Sequence, residues 1–202
     1  MFVQVIEAPV ADPAAARAHF QTWIDDVSPG AIGWLGSTAG VTPDGTLVAV
    51  ARFESEDAAR RNSERPEQDA WWQGMAALLS GEATFRDSTR VLEDLHGDPD
   101  QAGFVQVMQG GSTDPDRAWK LMEADDTDWS AFRPDILGSL NIGHDGGRWT
   151  MVNWFTTEAE AREGEKKDVP PELRAQMDEL GSLAEGEMRF LDISDPWMWS
   201  PR

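Results

Sequence analysis

The chain contains the same sequence pattern twice, and this duplication constrains its fold more than any other feature. Phe2-Val3-Gln4-Val5 recurs as Phe104-Val105-Gln106-Val107, at an offset of 102 residues (104 − 2). The match continues without a gap as far as Met75 in the first half and Met177 in the second. Such a period is far longer than the unit of a stacked repeat protein. The sequence therefore predicts two related domains of about 100 residues each.

Each half carries the pattern β-α-β-β-α-β, which is typical of a ferredoxin-like unit. Residues 2–8 alternate and are rich in strand formers. Asp12 followed by Pro13 predicts a helix start, because the aspartate can cap free amides and proline lacks an N–H that would go unused there. The other elements predicted for this half are a helix over 14–26, strands over 32–40 and 46–53, a helix over 56–62, a helical stretch after Pro66 and a last strand over 82–92.

The second half repeats this order. Its strands are predicted near 104–108, 136–143, 148–155 and 187–193. Thr157 and Glu160 have the spacing of a capping box at the start of its second helix. We expect a first repeat over 1–96, a linker over 97–102, a second repeat over 103–193 and a tail over 194–202. Because small units bury little surface alone and the linker is short, the two sheets are expected to pair.

Composition limits the possible partners and the cellular location. The formal charge is −20 and the pI is near 4.3, so the surface should repel nucleic acid and anionic membranes. Ten tryptophans argue for a folded chain, and the lack of cysteine excludes disulfides and thiolate chemistry. Met1 leads directly into an apolar strand without a signal-peptide pattern. We therefore expect a cytoplasmic protein.

The opening Phe-Val-Gln-Val strand and the stretch Phe-Glu-Ser-Glu-Asp-Ala-Ala-Arg at 53–60 resemble the antibiotic biosynthesis monooxygenase branch of the dimeric α/β barrel superfamily. The resemblance covers essentially the whole chain, once per half. It implies the fold class α+β, with two ferredoxin-like repeats forming one eight-stranded barrel. The molecule would then be a monomeric pseudo-dimer or a homodimer of barrels. This fold hosts many activities, so function must be argued from residues.

Polar residues in the middle of buried strands are candidates for ligand contacts. Gln4 and Gln106 occupy equivalent positions, where they could bind a ligand, each other or neighbouring backbone. Arg52 aligns with Trp154, and Ala51 aligns with Asn153, so the two halves can carry different pockets.

The tryptophans allow two interpretations. Trp34, Trp149 and Trp154 fall on predicted strands, where they can line a cavity or fill a core. We include Trp34 with Gln4, Arg52, Gln106, Asn153 and Trp154 as expected substrate-binding residues. The apolar tail around Trp197 and Trp199 is expected to dock rather than remain loose.

The resemblance also implies a catalytic set in the first half. Cofactor-independent members of the branch use an asparagine, a tryptophan and an arginine around an aromatic polyketide. Asn62 would polarise a ring carbonyl, Trp72 would stack on the substrate, and Arg86 would stabilise the enolate. Donors directed at an oxyanion favour such a reaction. The chain departs from the family pattern in having no tyrosine.

The sequence predicts neither a metal nor a cofactor. Its three histidines, His19, His96 and His144, show no ligand spacing, and neither second helix contains a histidine that could bind haem. No glycine-rich phosphate loop follows a strand. We expect cofactor-free oxygenation of a small hydrophobic, aromatic or polyketide-like molecule. The alternatives are an isomerase or cyclase using the same pocket, and a non-enzymatic ligand-binding or stress-related scaffold.

Overall fold

The computed structural model describes residues 1–124 and 129–201. The first repeat contains β1 (Phe2–Pro9), α1 (Pro13–Thr22), β2 (Trp34–Val41), β3 (Thr46–Phe53), α2 (Glu56–Ser63), α3 (Pro66–Ala76) and β4 (Thr84–Ser88). After it come β5 (Val91–Leu95), β6 (Phe104–Ser112), α4 (Pro115–Glu123), α5 (Trp129–Phe132), β7 (Ile136–Gly143), β8 (Arg148–Phe155), α6 (Glu158–Gly164), α7 (Pro171–Ser182), β9 (Ala184–Ile193) and β10 (Trp197–Trp199). This order confirms the α+β class and the two ferredoxin-like repeats.

Each repeat builds the core of one antiparallel, five-stranded sheet. The strand orders are β10-β2-β3-β1-β4 and β5-β7-β8-β6-β9. The two orders match strand for strand. In the first sheet the fifth strand is β10, which follows the second repeat and pairs with the edge strand β2. In the second sheet it is β5, which follows the first repeat and pairs with the equivalent edge strand, β7. The chain accordingly divides into a first unit of residues 1–89 with the tail from 195 onward, and a second unit of residues 90–194.

The helices begin where the sequence predicts because their caps form. Asp12 Oδ1 accepts a hydrogen bond from the Ala15 amide at 3.0 Å, and Thr157 Oγ1 accepts one from the Glu160 amide at 3.2 Å. Thr157 also donates to the Glu160 carboxylate at 2.9 Å. The hydroxyls of Thr156 and then Thr157 hold the pKa of the Glu160 carboxyl below its usual range. The predicted capping pair is therefore confirmed.

Two element boundaries differ from the expectations. The predicted strand over 82–92 is divided, because residues after Arg90 leave the first sheet and pair with β7 as β5. The helix predicted over 14–26 is α-helical only as far as Thr22. The chain then forms the π-helical turn Trp23–Val27. Trp23 and Val27 are both buried in this turn. Wider turns of this kind often occur at functional sites.

The core of the first unit lies between its sheet and its helices. Ala16 of α1, Met75 of α3 and Ala39 of β2 are fully buried there. A second group, formed by Trp23, Trp34 and Phe53 with neighbouring small residues, packs beside them. The helices of the described chain are all too short or too polar to cross a bilayer.

Candidate functional site

The first unit contains a cavity of about 270 Å³ between its sheet and helices α1, α2 and α3. Its lining is mostly apolar and aromatic, which is the usual character of a small-molecule pocket. The aromatic side chains that line it are Phe20, Trp23, Trp34, Phe53, Trp71, Trp72, Phe85 and Trp199. The polar ones are Gln4, Ser37, Asn62, Ser63, Gln68 and Asp69.

Edge-to-face aromatic contacts fix the walls of this cavity. The Trp23 and Trp34 rings lie 4.9 Å apart at 74°, and Trp72 meets Phe85 at 5.1 Å and 64°. Such pairs contribute beyond the area that they bury. Trp34 Nε1 also donates to Ser37 Oγ at 3.0 Å. These contacts hold several of the aromatic rings in defined orientations.

A chain of hydrogen bonds crosses the polar end of the cavity. Trp23 Nε1 donates to Gln68 Oε1 at 2.6 Å, and Asn62 Nδ2 donates to the same oxygen at 3.2 Å. Arg65 Nη1 donates to Asn62 Oδ1 at 2.9 Å. An indole N–H and a guanidinium can only donate, so these contacts determine which way both amides point.

The amide orientations leave donors available at this end of the cavity. Within the described part of the chain, Gln68 Nε2 has no hydrogen-bond acceptor, and Asn62 Nδ2 uses one of its two hydrogens. Asn62 is only 6% exposed. Two amide donors beside apolar walls can bind a carbonyl or an ionised hydroxyl, and such donors stabilise developing negative charge.

Arg65 is anchored on the side away from the cavity. Its Nη2 donates to the Val27 carbonyl at 3.0 Å and to Glu67 Oε1 at 2.8 Å. The pKa of the Glu67 carboxyl is held below its usual range, first by a hydrogen bond from the backbone N–H of Glu67 and then by the hydrogen bond from Arg65. A Cβ at Gly30 would overlap the Arg65 guanidinium, so this close approach requires glycine at position 30.

The sequence-predicted catalytic set is only partly brought together. Asn62 and Trp72 both line the cavity. Arg86 follows Phe85 on β4, and successive residues of a strand face opposite sides of the sheet. Phe85 lines the cavity, whereas Arg86 forms an ion pair with the buried Glu7. Arg86 therefore does not lie with Asn62 and Trp72.

The expected substrate-binding residues of the first unit also separate. Trp34 and Gln4 line the cavity, and Arg52 is buried but does not line it. Gln4 Nε2 donates to Asp87 Oδ1 at 2.8 Å. Gln106 makes the equivalent contact with Asp192 Oδ1, at 3.0 Å. Each glutamine is thus paired with an aspartate on the neighbouring strand.

The second unit differs at the position equivalent to Asn62. That position is Gly164, and a Cβ there would overlap the guanidinium of Arg133. Arg133 is held by an ion pair with the buried Asp135 at 2.7 Å. An arginine side chain therefore fills the space above Gly164, and the amide donor of the first unit has no counterpart there.

The other predicted residues of the second unit are packed. Trp154 is fully buried, and Asn153 Nδ2 lies 3.6 Å from Met108 Sδ. In the described parts of the chain, no group of three or more histidine and carboxylate side chains is arranged to hold a metal ion.

Sequence reasoning missed Gln68 and Trp23, which line the polar end of the first cavity, and Arg65, which contacts Asn62 from outside it. One signal was available: the segment from Asn62 to Gln68 aligns with a region of different sequence in the second half. The contact between Trp23 and Gln68 was not predictable, because it depends on the π-helical turn that carries Trp23.

Among the solved structures that match, the following three cover nearly the whole chain. Provisionally assigned monooxygenases from Lactobacillus acidophilus and Fusobacterium nucleatum each cover 98% of this chain, and 99% and 94% of their own. Their TM-scores are 0.75 and 0.79, at 10% and 8% identity. An anthrone oxidase-like protein covers 98% of this chain and 92% of its own, with a TM-score of 0.65 and 10% identity.

Shorter antibiotic biosynthesis monooxygenases cover 43% of this chain. No family profile matches the sequence, and no curated protein matches it. The likeness is therefore one of architecture: the chain shares its fold with these three structures and contains two ferredoxin-like repeats in one polypeptide.

Proposed function

We propose that the first unit binds a planar aromatic or polyketide-like compound and oxidises it with molecular oxygen, without a cofactor. The observation that carries this proposal is the aromatic cavity with amide donors from Asn62 and Gln68 at one end. The fold neighbours named as monooxygenases and as an anthrone oxidase-like protein are consistent with it.

The proposed reaction uses a substrate with an activated CH₂ group beside a ring carbonyl. Loss of a proton gives an enolate, whose oxygen accepts hydrogen bonds from the two amides. The enolate passes one electron to O₂, and the resulting radical and superoxide combine and take up a proton to form a hydroperoxide. Loss of water then leaves a second carbonyl. The balance is CH₂ + O₂ → C=O + H₂O.

The residues have separate roles in this scheme. Trp72 and Phe85 hold the flat ring system, and Gln68 takes the enolate-stabilising role that was expected of Arg86. Asp69 is the only ionisable side chain among the lining residues that the structure describes. We assign the first proton transfer to its carboxylate.

A titration of intrinsic tryptophan fluorescence with anthrone, followed by oxygen-uptake measurements, tests the proposal. We expect saturable quenching and consumption of one O₂ per anthrone. Asn62→Ala should lower the rate of oxygen uptake, whereas Asn153→Ala, which truncates an amide on strand β8 of the second unit, should not. Failure of anthrone and related quinones to quench would contradict the assignment of this cavity as a binding site.

A non-enzymatic binding protein is the second candidate. It is favoured by the mutual pairing of Trp23, Gln68 and Asn62, which is already stable without a ligand. Saturable quenching without oxygen uptake, and with anthrone recovered unchanged, would support this second function over the first.

A further inference from the structure

We propose that Arg65 is the positioning residue of this cavity, because it fixes the Asn62 amide so that only N–H donors face the ligand. The inference rests on the proposed function, since it assumes that the cavity binds a small molecule. It adds a chemical preference: the polar end accepts a carbonyl or an ionised hydroxyl, and discriminates against ligands that lack such an oxygen.

The first argument is geometric. An asparagine amide can rotate by half a turn and exchange its donor and acceptor ends. Arg65 Nη1 donates to Asn62 Oδ1 at 2.9 Å, which is possible only while the oxygen faces the guanidinium. Asn62 Nδ2 then faces Gln68 Oε1 and donates to it. Trp23 Nε1 donates to the same oxygen, so the Gln68 amide must also present its oxygen there. The guanidinium thus fixes the direction of the Asn62 amide, and the Trp23 indole fixes that of the Gln68 amide in agreement with it.

The second argument is the rigidity of Arg65 itself. Its side chain is only 18% exposed, and its Nε and Nη2 both donate to Glu67 Oε1, at 3.0 and 2.8 Å. Nη2 also donates to the Val27 carbonyl, at the end of the turn that carries Trp23. A planar guanidinium can serve three acceptors in fixed directions, which a lysine ammonium cannot reproduce.

The third argument is electrostatic. A charged donor on Asn62 Oδ1 polarises the amide, so its N–H groups become stronger donors. This effect is directed at the ligand because the guanidinium lies behind Asn62 and does not line the cavity. Arg65 would therefore act through Asn62 without touching the ligand.

The test compares two flat probes of nearly equal size, fluorenone and fluorene, which differ by one carbonyl oxygen. We expect the wild-type protein to bind fluorenone roughly 3- to 10-fold more tightly, the range for one net hydrogen bond. Arg65→Met should reduce this ratio to about one while the affinity for fluorene stays unchanged. A role of Arg65 in stability alone would lower both affinities together, and that result would overturn the proposal.

Two further variants sharpen the comparison. Gly30→Ala introduces a methyl group where the guanidinium of Arg65 now lies, so it should displace Arg65 and lower the ratio without removing any charge. Arg61→Met is the matched control, because Arg61 forms an exposed ion pair with Asp57 on its own helix and does not line the cavity. A wild-type ratio near one, or an equal loss of preference in Arg61→Met, would contradict the proposal.

A ligand-free measurement separates this inference from the proposed function. The side-chain NH₂ signal of Asn62, identified by its loss in Asn62→Ala, should shift in Arg65→Met and keep its position in Arg61→Met. An unchanged signal in Arg65→Met overturns the positioning role, whatever the probes do. If the signal shifts but neither probe binds the wild-type protein, the positioning role stands and the binding function fails.

Discussion

Gln68 Oε1 accepts hydrogen bonds from both Trp23 Nε1 and Asn62 Nδ2. Gln68→Met keeps the length of the side chain but removes this acceptor, so two largely buried donors lose their partner. We expect a loss of about 1–3 kcal/mol in the free energy of unfolding, measured by urea denaturation. Gln73→Met, on the exposed face of the same helix, is the control and should change stability little. Equal stabilities of the two variants would contradict the role of Gln68.

At this scale the sequence predicted some site residues and not others. The family resemblance implied that Asn62 and Trp72 belong to one pocket, and both line the cavity; their catalytic roles stay predictions. Arg86 was harder, since the strand Thr-Phe-Arg-Asp-Ser has no clear apolar alternation and either face could be buried. Arg65 follows a helix and precedes a proline, a setting that indicates a turn but says nothing about which side chain the arginine contacts.

The contact between Arg133, which follows α5, and Gly164, at the end of α6, distinguishes the second unit from the first. Gly164→Ala places a methyl group against the buried guanidinium of Arg133, which its ion pair with Asp135 prevents from moving freely. We expect destabilisation by about 1–3 kcal/mol, as for overpacked sites. Thermal or urea unfolding measures it.

Gly181→Ala is the matched control for this change. Gly181 lies in α7, and nothing lies within 4 Å of a Cβ added there. Alanine is favoured over glycine in a helix by about 0.5–1 kcal/mol, so this variant should be slightly more stable than the wild type. Destabilisation by both substitutions would show that helix geometry, and not Arg133, determines the result.

The tail strand β10 is an integral part of the first unit. Trp197 pairs with Ala39 of β2 and is 4% exposed, and the Trp199 ring lies 5.8 Å from that of Phe20 at 12°. Trp197→Ala should lower the free energy of unfolding by about 3–5 kcal/mol, measured by circular dichroism in urea. Met198→Ala, at the next and less buried position, should cost clearly less. A tail that was merely resting on the surface would show no such difference.

The order of elements was predictable, whereas their partners were not. Capping residues, prolines and turn glycines fixed where the helices and strands begin, and these are local signals. The docking of the tail was anticipated from its tryptophans, but its pairing with β2 was not, because three residues carry no register information. The division of the predicted strand over 82–92 was missed for the same reason, since it depends on pairing between β5 and β7.

For the whole molecule, duplication allowed the two repeats to diverge at a shared position. The sheets keep the same strand order and the same glutamine–aspartate pairs. The helical layer differs: the first unit has Asn62 beside a cavity, and the second has Arg133 over Gly164. Because both arrangements lie on the same framework, the sequence alone identified where the halves differ but not what each half places at the shared position.

The charge of −20 governs how the stability of the whole chain depends on salt. With 37 acidic and 17 basic residues, carboxylates repel one another in the folded state. Raising NaCl at pH 7.5 should screen this repulsion and increase Tm by about 2–4 °C, the shift expected for roughly 1 kcal/mol in a chain of this size. Exposed ion pairs such as Arg60–Asp57 weaken with salt, but pairs of this kind contribute little.

The pH dependence of the salt effect on Tm separates the repulsion among carboxylates from the contribution of ion pairs. Arg60 lowers the pKa of Asp57, chiefly through a hydrogen bond, so the stability from this carboxylate is present above its unfolded pKa of about 4 and is lost as the pH falls through its folded pKa. Protonation of the many other carboxylates near pH 4 relieves the repulsion. The gain in Tm from NaCl should therefore be clearly smaller at pH 4 than at pH 7.5 in parallel thermal scans. If salt lowers Tm at pH 7.5, ion pairs and not repulsion dominate the electrostatic free energy of the fold.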